Sequence, residues 1–163
     1  CWFVASSGLE GDPKVLRYLT HEQKPPLDLI RREVHMLDYE LKGEVRILDA
    51  SGDGGFLFAG TGWDCAALDG GWSRVPWPVD DDSFDAVVLF GALDRAEDPG
   101  AVLREAVRAS RRAVLIAMPG DRGRAERLMA PYNPEIEEVA VNGRSWAVAK
   151  IRKAGVPRGA EEV

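Results

Sequence analysis

Val75-Pro76-Trp77-Pro78-Val79-Asp80-Asp81-Asp82-Ser83-Phe84-Asp85-Ala86-Val87-Val88-Leu89-Phe90 opens the segment whose reading decides the fold. A proline-rich turn and an acidic run lead into an apolar stretch ending at Phe90, the pattern of a strand buried on both faces. Downstream, Leu103, Ala106, Val107 and Ser110 share one face of a helix while Arg104, Glu105, Arg108 and Arg111 fall largely on the other. Ala113 to Met118 then reads as a second doubly buried strand. Strand, crossover helix and strand make a parallel unit, so the fold class is α/β.

The wording of this segment resembles the class I S-adenosylmethionine (SAM)-dependent methyltransferases, in particular the type 11-like subgroup. Its members carry Leu-Pro-Phe-Pro, a few acidic or polar residues and Ser-Phe-Asp before the fourth strand; here the words are Val75-Pro76-Trp77-Pro78 and Ser83-Phe84-Asp85. The family's Leu-Glu-His-Val-x-Asp-Pro phrase has its counterpart in Leu93-Asp94-Arg95-Ala96-Glu97-Asp98-Pro99, followed by Leu103-Arg104-Glu105. The resemblance implies a Rossmann-like, mostly parallel sheet closed by a C-terminal antiparallel hairpin. It also implies SAM over the carboxyl ends of the strands, with Val75 beside the adenine and Gly91, Leu93 and Arg95 facing the methyl acceptor.

Upstream, Val45 to Asp49 reads as the first strand, leading into Ala50-Ser51-Gly52-Asp53-Gly54-Gly55. The family writes this junction Asp-x-Gly-x-Gly-x-Gly, where glycines let the backbone turn tightly and meet the cofactor's carboxylate end. Asp49 and Gly55 fit that pattern, whereas Ser51 and Asp53 stand at two glycine positions. Ungapped, the Asp53 carboxylate comes within about 4 Å of the SAM carboxylate, where like charges repel by roughly 4 kcal/mol at an effective dielectric of about 20. That amounts to about a thousandfold in affinity. Shifted by one residue, the loop instead presents Gly52 and Gly54 and turns Asp53 outward. The cofactor residues implied by the resemblance are therefore Asp49, Ser51, Gly52, Asp53, Gly54, Gly55, Asp69 and Val75.

Thirty-six positions separate Asp49 from Asp85, too few for the helix, strand, helix and strand that the family places there. Trp63 to Asp69 supplies one strand before Gly70-Gly71 turns away, so about one βα unit is expected to be missing. Asp69 matches either the acidic residue that ends the family's second strand and binds ribose, or the Asp after its third strand beside adenine. A turn residue bonding its own backbone is a third reading. Trp63, Trp72 and Trp77 crowd this shortened region, to cover the sheet, line a substrate pocket or enter a subunit interface. A homodimer or partner complex burying at least one of them is expected, since a lost unit bares a sheet edge.

The ends complete the organisation. Residues 1–43 form a helical segment lying on the sheet: Asp12-Pro13 opens a short helix, and Leu27, Ile30, Val34, Leu37 and Leu41 give an amphipathic one that Gly43 ends. Residues 44–153 form the methyltransferase-like core, with a helix from Asp121 to Ala130 and strands Ile136–Val141 and Ser145–Ile151 joined by Asn142-Gly143, a tight-hairpin signal. Residues 154–163 are Gly-, Pro- and charge-rich and read as a frayed tail.

Composition bounds the function. With 163 residues, 45% hydrophobic and 29% charged, the chain reads as one globular domain. No apolar run approaches the roughly 20 residues that span a bilayer, and a cytoplasmic location is expected. Cys1 and Cys65 are too few for a disulfide framework, and neither they nor His21 and His35 have metal-ligand spacing, so no metal is expected. Nor do Asp80 to Asp82 suit one; they read as a cap on the approach to the strand. The net charge of −6 argues against a nucleic-acid partner, and the arginines from Arg104 to Arg127 read as solvated helix faces. One Gln and two Asn suggest a thermophilic source. Two functions fit: a SAM-dependent methyltransferase of unread acceptor, or a methyltransferase fold without catalysis that serves as a binding or assembly subunit. Methyl transfer to a good nucleophile needs mainly in-line positioning, so the lack of an acid–base pair leaves the first reading intact, with no catalytic residue assigned.

Overall fold

The computed structural model describes residues 24–51, 58, 60–68 and 71–153. Six strands form one sheet in the order β2-β1-β3-β4-β6-β5. They are β1 (Arg46–Asp49), β2 (Asp64–Ala67), β3 (Phe84–Phe90), β4 (Ser110–Pro119), β5 (Glu135–Val141) and β6 (Arg144–Arg152). The first four run parallel; β6 inserts antiparallel beside β4 and carries β5 on its far side. The expected mostly parallel sheet with a C-terminal hairpin is thus the observed one. Among the described residues the α-helices are α1 (Lys24–Glu40), α2 (Pro99–Ala109) and α3 (Arg122–Met129).

Alternation along the central strands sorts the core into two layers, as a period of two requires. Val87, Leu89, Val114, Ile116 and Met118 join Leu103, Ala106, Ala125 and Met129 on the face covered by α2 and α3. Ala86, Val88, Phe90, Leu115 and Ala117 join Leu27, Ile30 and Val34 of α1 on the other. Each fully buried aliphatic side chain contributes about 1.5–3 kcal/mol, so the three core-facing residues of α1 anchor that helix firmly. Its end follows the reading: Gly43, at φ 84°, donates from its N–H to Asp38 O at 2.8 Å and closes the last turn.

The short stretch between β1 and β3 contains a single described strand. β2 pairs directly with β1, from Arg46 opposite Asp64 to Asp49 opposite Ala67. The chain then crosses to the amino end of β3 through a 3-10 turn, Gly71–Ser73, and an extended passage rather than a helix. Trp77 closes the core beneath this passage: it is 3% exposed, and its indole N–H donates to Trp72 O at 3.2 Å. Trp72 and Trp63 are half-buried against the two core layers. Covering the sheet is therefore what Trp77 does, which removes it from any surface offered to another subunit.

A clasp fixes the same passage from the α2 side. Arg108 meets Glu105 through Nε and Nη2 at 2.9 and 2.8 Å, and donates to Trp77 O, Val79 O and the Asp81 carboxylate. Glu105 in turn accepts from Trp77 N at 2.8 Å. Arg108 is accordingly no member of a free basic face, as its helical position alone suggested. Asp82 pairs with Lys153, whose ammonium also donates to Ser110 O at 2.9 Å near the C-terminal end of α2. Asp85, 5% exposed, accepts from Arg46 N at 2.9 Å and ties the start of β1 to that of β3.

Observed limits differ little from those read in the sequence. β4 begins at Ser110 instead of Ala113, because Ser110 lies in register with Phe84 at the foot of β3. The expected helix from Pro13, the glycine loop Gly52 to Gly55, Asp69 and the tail after Lys153 lie outside the described residues.

Candidate functional site

In an open parallel sheet the ligand position follows from topology: where connections leave neighbouring strands towards opposite faces, a crevice opens at their carboxyl ends. That switch falls between β1 and β3. After β1 the chain reaches Phe58 in the layer with α1, whereas β3 leads to α2 in the opposite layer. The glycine loop, Asp69 and the Gly91–Arg95 turn all follow the carboxyl ends of β1, β2 and β3 in sequence.

Asp49, the last residue of β1, is 1% exposed, and its Oδ1 accepts from Ser51 N at 3.0 Å. This bond turns the backbone sharply out of the strand. Ser51 is also 1% exposed, and its hydroxyl is committed to β3: Oγ accepts from Phe90 N at 2.8 Å and donates to Val88 O at 3.4 Å. A side chain at this glycine position is tolerated because it points into the sheet and satisfies an amide that β1 is too short to reach. Sequence spacing gave no sign of this, since the two partners are 39 residues apart.

Gly91 ends β3 at φ 64°, a left-handed conformation that favours glycine, with its N–H bonded to Ala117 O at 2.8 Å. A 3-10 turn, Leu93–Arg95, follows. Leu93, expected to face the acceptor, is 1% exposed and belongs to the core. Arg95 is exposed; its Nε donates to Gly91 O at 2.6 Å, and its guanidinium carbon stands 5.8 Å from the Trp72 ring centroid. Asp94, to which no role was assigned, has a shielded Oδ1 without a hydrogen-bond partner. Val75 lies in the exposed part of the β2–β3 passage, 43% exposed. Of the residues singled out, Asp49, Ser51 and Gly91 meet at the switch, and Arg95 and Trp72 adjoin it.

Among the described residues nothing points to other chemistry. No cluster of His, Cys, Asp and Glu could hold a metal. Cys65 is buried, and burial, reinforced by the Asp49 charge, pushes its thiol up to about 12, which makes it a poor nucleophile. His35 is exposed on α1, beside a depression lined by Asp38, Tyr39 and Lys42 that precedes the amino end of β1, away from the switch. No described helix is long and apolar enough to cross a membrane.

Comparison with known proteins agrees with the topology. No protein-family model matches the sequence, and no curated protein is significantly similar to it. Solved structures do match. Burkholderia thailandensis 1,6-didemethyltoxoflavin-N1-methyltransferase, solved with 1,6-didemethyltoxoflavin and S-adenosylhomocysteine, aligns over 93% of this chain and 87% of its own, at 14% identity and a TM-score of 0.61. A SAM-dependent methyltransferase from Aquifex aeolicus aligns over 66% of this chain and 82% of its own, at 14% identity and a TM-score of 0.50. At such identity the likeness is one of fold, and the fold is that of the SAM-dependent methyltransferases.

Proposed function

We propose, from that fold, that the protein is a SAM-dependent methyltransferase whose cofactor lies across the carboxyl ends of β1, β2 and β3. The observation that carries this reading is the make-up of the switch. The residues that follow β1 and β3 directly are small, Ala50 and Ser51 on one side and Gly91 and Ala92 on the other, and Ser51 has its hydroxyl turned inward. A ligand held by backbone groups needs such a rim, because bulkier side chains keep it from the amides.

SAM, when bound, supplies an activated methyl group; the chain's own residues have to bind it, orient it and bring the acceptor in line. In this reading the Gly52 to Gly55 loop offers its amides to the amino-acid end, and the tight turn at Asp49 and Ser51 fixes where that loop begins. Asp69, which follows β2 in sequence, holds the ribose in this reading or lies beside the adenine. Val75 borders the adenine side, and Gly91 and Arg95 border the acceptor.

Calorimetric titration with SAM and S-adenosylhomocysteine tests the proposal. Binding is expected, with a stabilisation of about 2.7 kcal/mol at roughly 100 times Kd in thermal melts. The absence of both heat and thermal shift at millimolar ligand would exclude a cofactor site and leave the fold as a binding or assembly subunit.

A further inference from the structure

Most positioned arginines among the described residues are paired with carboxylates; Arg122, held by Ile136 O at 2.7 Å, and Arg95 are not. Arg108, Arg32, Arg46 and Arg152 each meet a carboxylate within salt-bridge distance. Arg95 meets none among the described residues, although Asp94, Glu97 and Asp98 adjoin it in sequence and Asp98 is occupied in capping α2 through Ala101 N. Its guanidinium is nevertheless held, by Gly91 O on Nε and by the Trp72 ring 5.8 Å away. Trp72 is itself anchored, its carbonyl accepting from the buried Trp77 indole. The terminal N–H groups of Arg95 remain open to solvent. A guanidinium fixed in place with its fork unfilled is built to take an oxyanion in two parallel hydrogen bonds.

Its location gives that capacity a use. Arg95 sits four residues beyond Gly91, in the turn after β3 that the methyltransferase reading puts beside the acceptor. We propose that Arg95, held by Gly91 and Trp72, binds an anionic group of the methyl acceptor, a carboxylate or a phosphate. This inference rests on the methyltransferase reading. Trp72 acts here as a positioning residue, and Arg95 as the one that touches the acceptor.

Nuclear magnetic resonance on the whole chain tests it. The five tryptophans give five indole N–H signals, and Trp72→Phe identifies that of Trp72. Benzoate and phenyl phosphate, titrated separately with and without S-adenosylhomocysteine, serve as probes for the two kinds of anion. At least one should move the Trp72 signal saturably, with a dissociation constant raised about tenfold or more in Arg95→Gln and partly restored in Arg95→Lys. Arg95 is exposed, so the variants should melt like the parent. No saturable shift at millimolar probe, or equal affinity in Arg95→Gln, would overturn the proposal. If S-adenosylhomocysteine binds while neither probe does, the anion site alone falls. If a probe binds through Arg95 while S-adenosylhomocysteine does not, the acceptor role falls with the methyltransferase reading.

Discussion

Ser51 stands where the resembling family has a glycine, and its hydroxyl takes up Phe90 N–H and Val88 O at the end of β3. Both groups are buried, and leaving a buried polar group without its partner costs about 1–3 kcal/mol. Ser51→Ala should therefore lower stability by that amount in urea denaturation. Ser51→Gly, although it restores the family's residue, should lower it further by about 0.5–1 kcal/mol through added unfolded-state freedom. Unchanged stability in the alanine variant would reduce the hydroxyl to a bystander. The departure was legible as a departure, because position fixes it, but its reason lies in a residue that only the fold brings near. Asp69 poses the opposite problem, chemistry named by resemblance at a residue outside the described structure. If it holds the ribose hydroxyls, Asp69→Ala should weaken SAM by roughly tenfold to a hundredfold, from a charge-assisted bond worth about 1.5–3 kcal/mol, with the melting temperature of the free protein unchanged. Calorimetry returning equal affinities would count against that role.

The passage from β2 to β3 is ordered by α2 rather than by a helix of its own. Glu105 and Arg108 lie three residues apart on α2, and between them they engage Trp77, Val79 and Asp81. That explains why a Pro-rich turn, an acidic run and a Leu-Arg-Glu helix occur together in one stretch: they are parts of one clasp. The expected coupling between Glu105→Gln and Arg108→Lys in a double-mutant cycle is about 1–2 kcal/mol, since the pair is bidentate and only partly exposed. Hydrogen bonds from Arg108, outweighing burial, hold the Glu105 carboxyl below its ordinary 4.5. A depressed carboxyl contributes stability that is complete above the unfolded value and is lost as pH falls through the folded one. Denaturation midpoints should thus drop below about pH 4.5, and Glu105→Gln should flatten part of that drop; identical acid profiles would sink the clasp's electrostatic role. Local pattern made most elements legible: the doubly apolar runs of β3 and β4, the three-and-four spacing of α1, and Asn142-Gly143, both at positive φ, in the hairpin turn. It could not show that Arg108 turns towards the loop, because an outward helical position is compatible with either solvent or a neighbouring segment.

Across the whole molecule, the sheet is asymmetric about β4. On one side lie the parallel strands whose carboxyl ends border the switch; on the other, the antiparallel pair β6 and β5 presents Glu135, Glu137 and Glu138 at an exposed edge. A ligand at the switch touches only the first side, so its effect on local opening should be one-sided. Amide hydrogen exchange with S-adenosylhomocysteine makes the distinction. Ser51, Leu68 and Gly91, whose N–H groups are bonded at the ends of β1, β2 and β3, should slow by up to roughly a hundredfold at about 100 times Kd if they exchange by local opening. Asn142 and Gly143, in the hairpin turn at the same end of the sheet but on the far side of β4, should exchange as in the free protein. Protection centred on that hairpin would move the binding site away from the switch. An even slowing of the most protected core amides alone would report only global stabilisation, so the edge and turn positions decide. The contrast is sharpened by the length of β1 and β2, four residues each, which leaves that edge few ladder bonds to hold it closed without ligand.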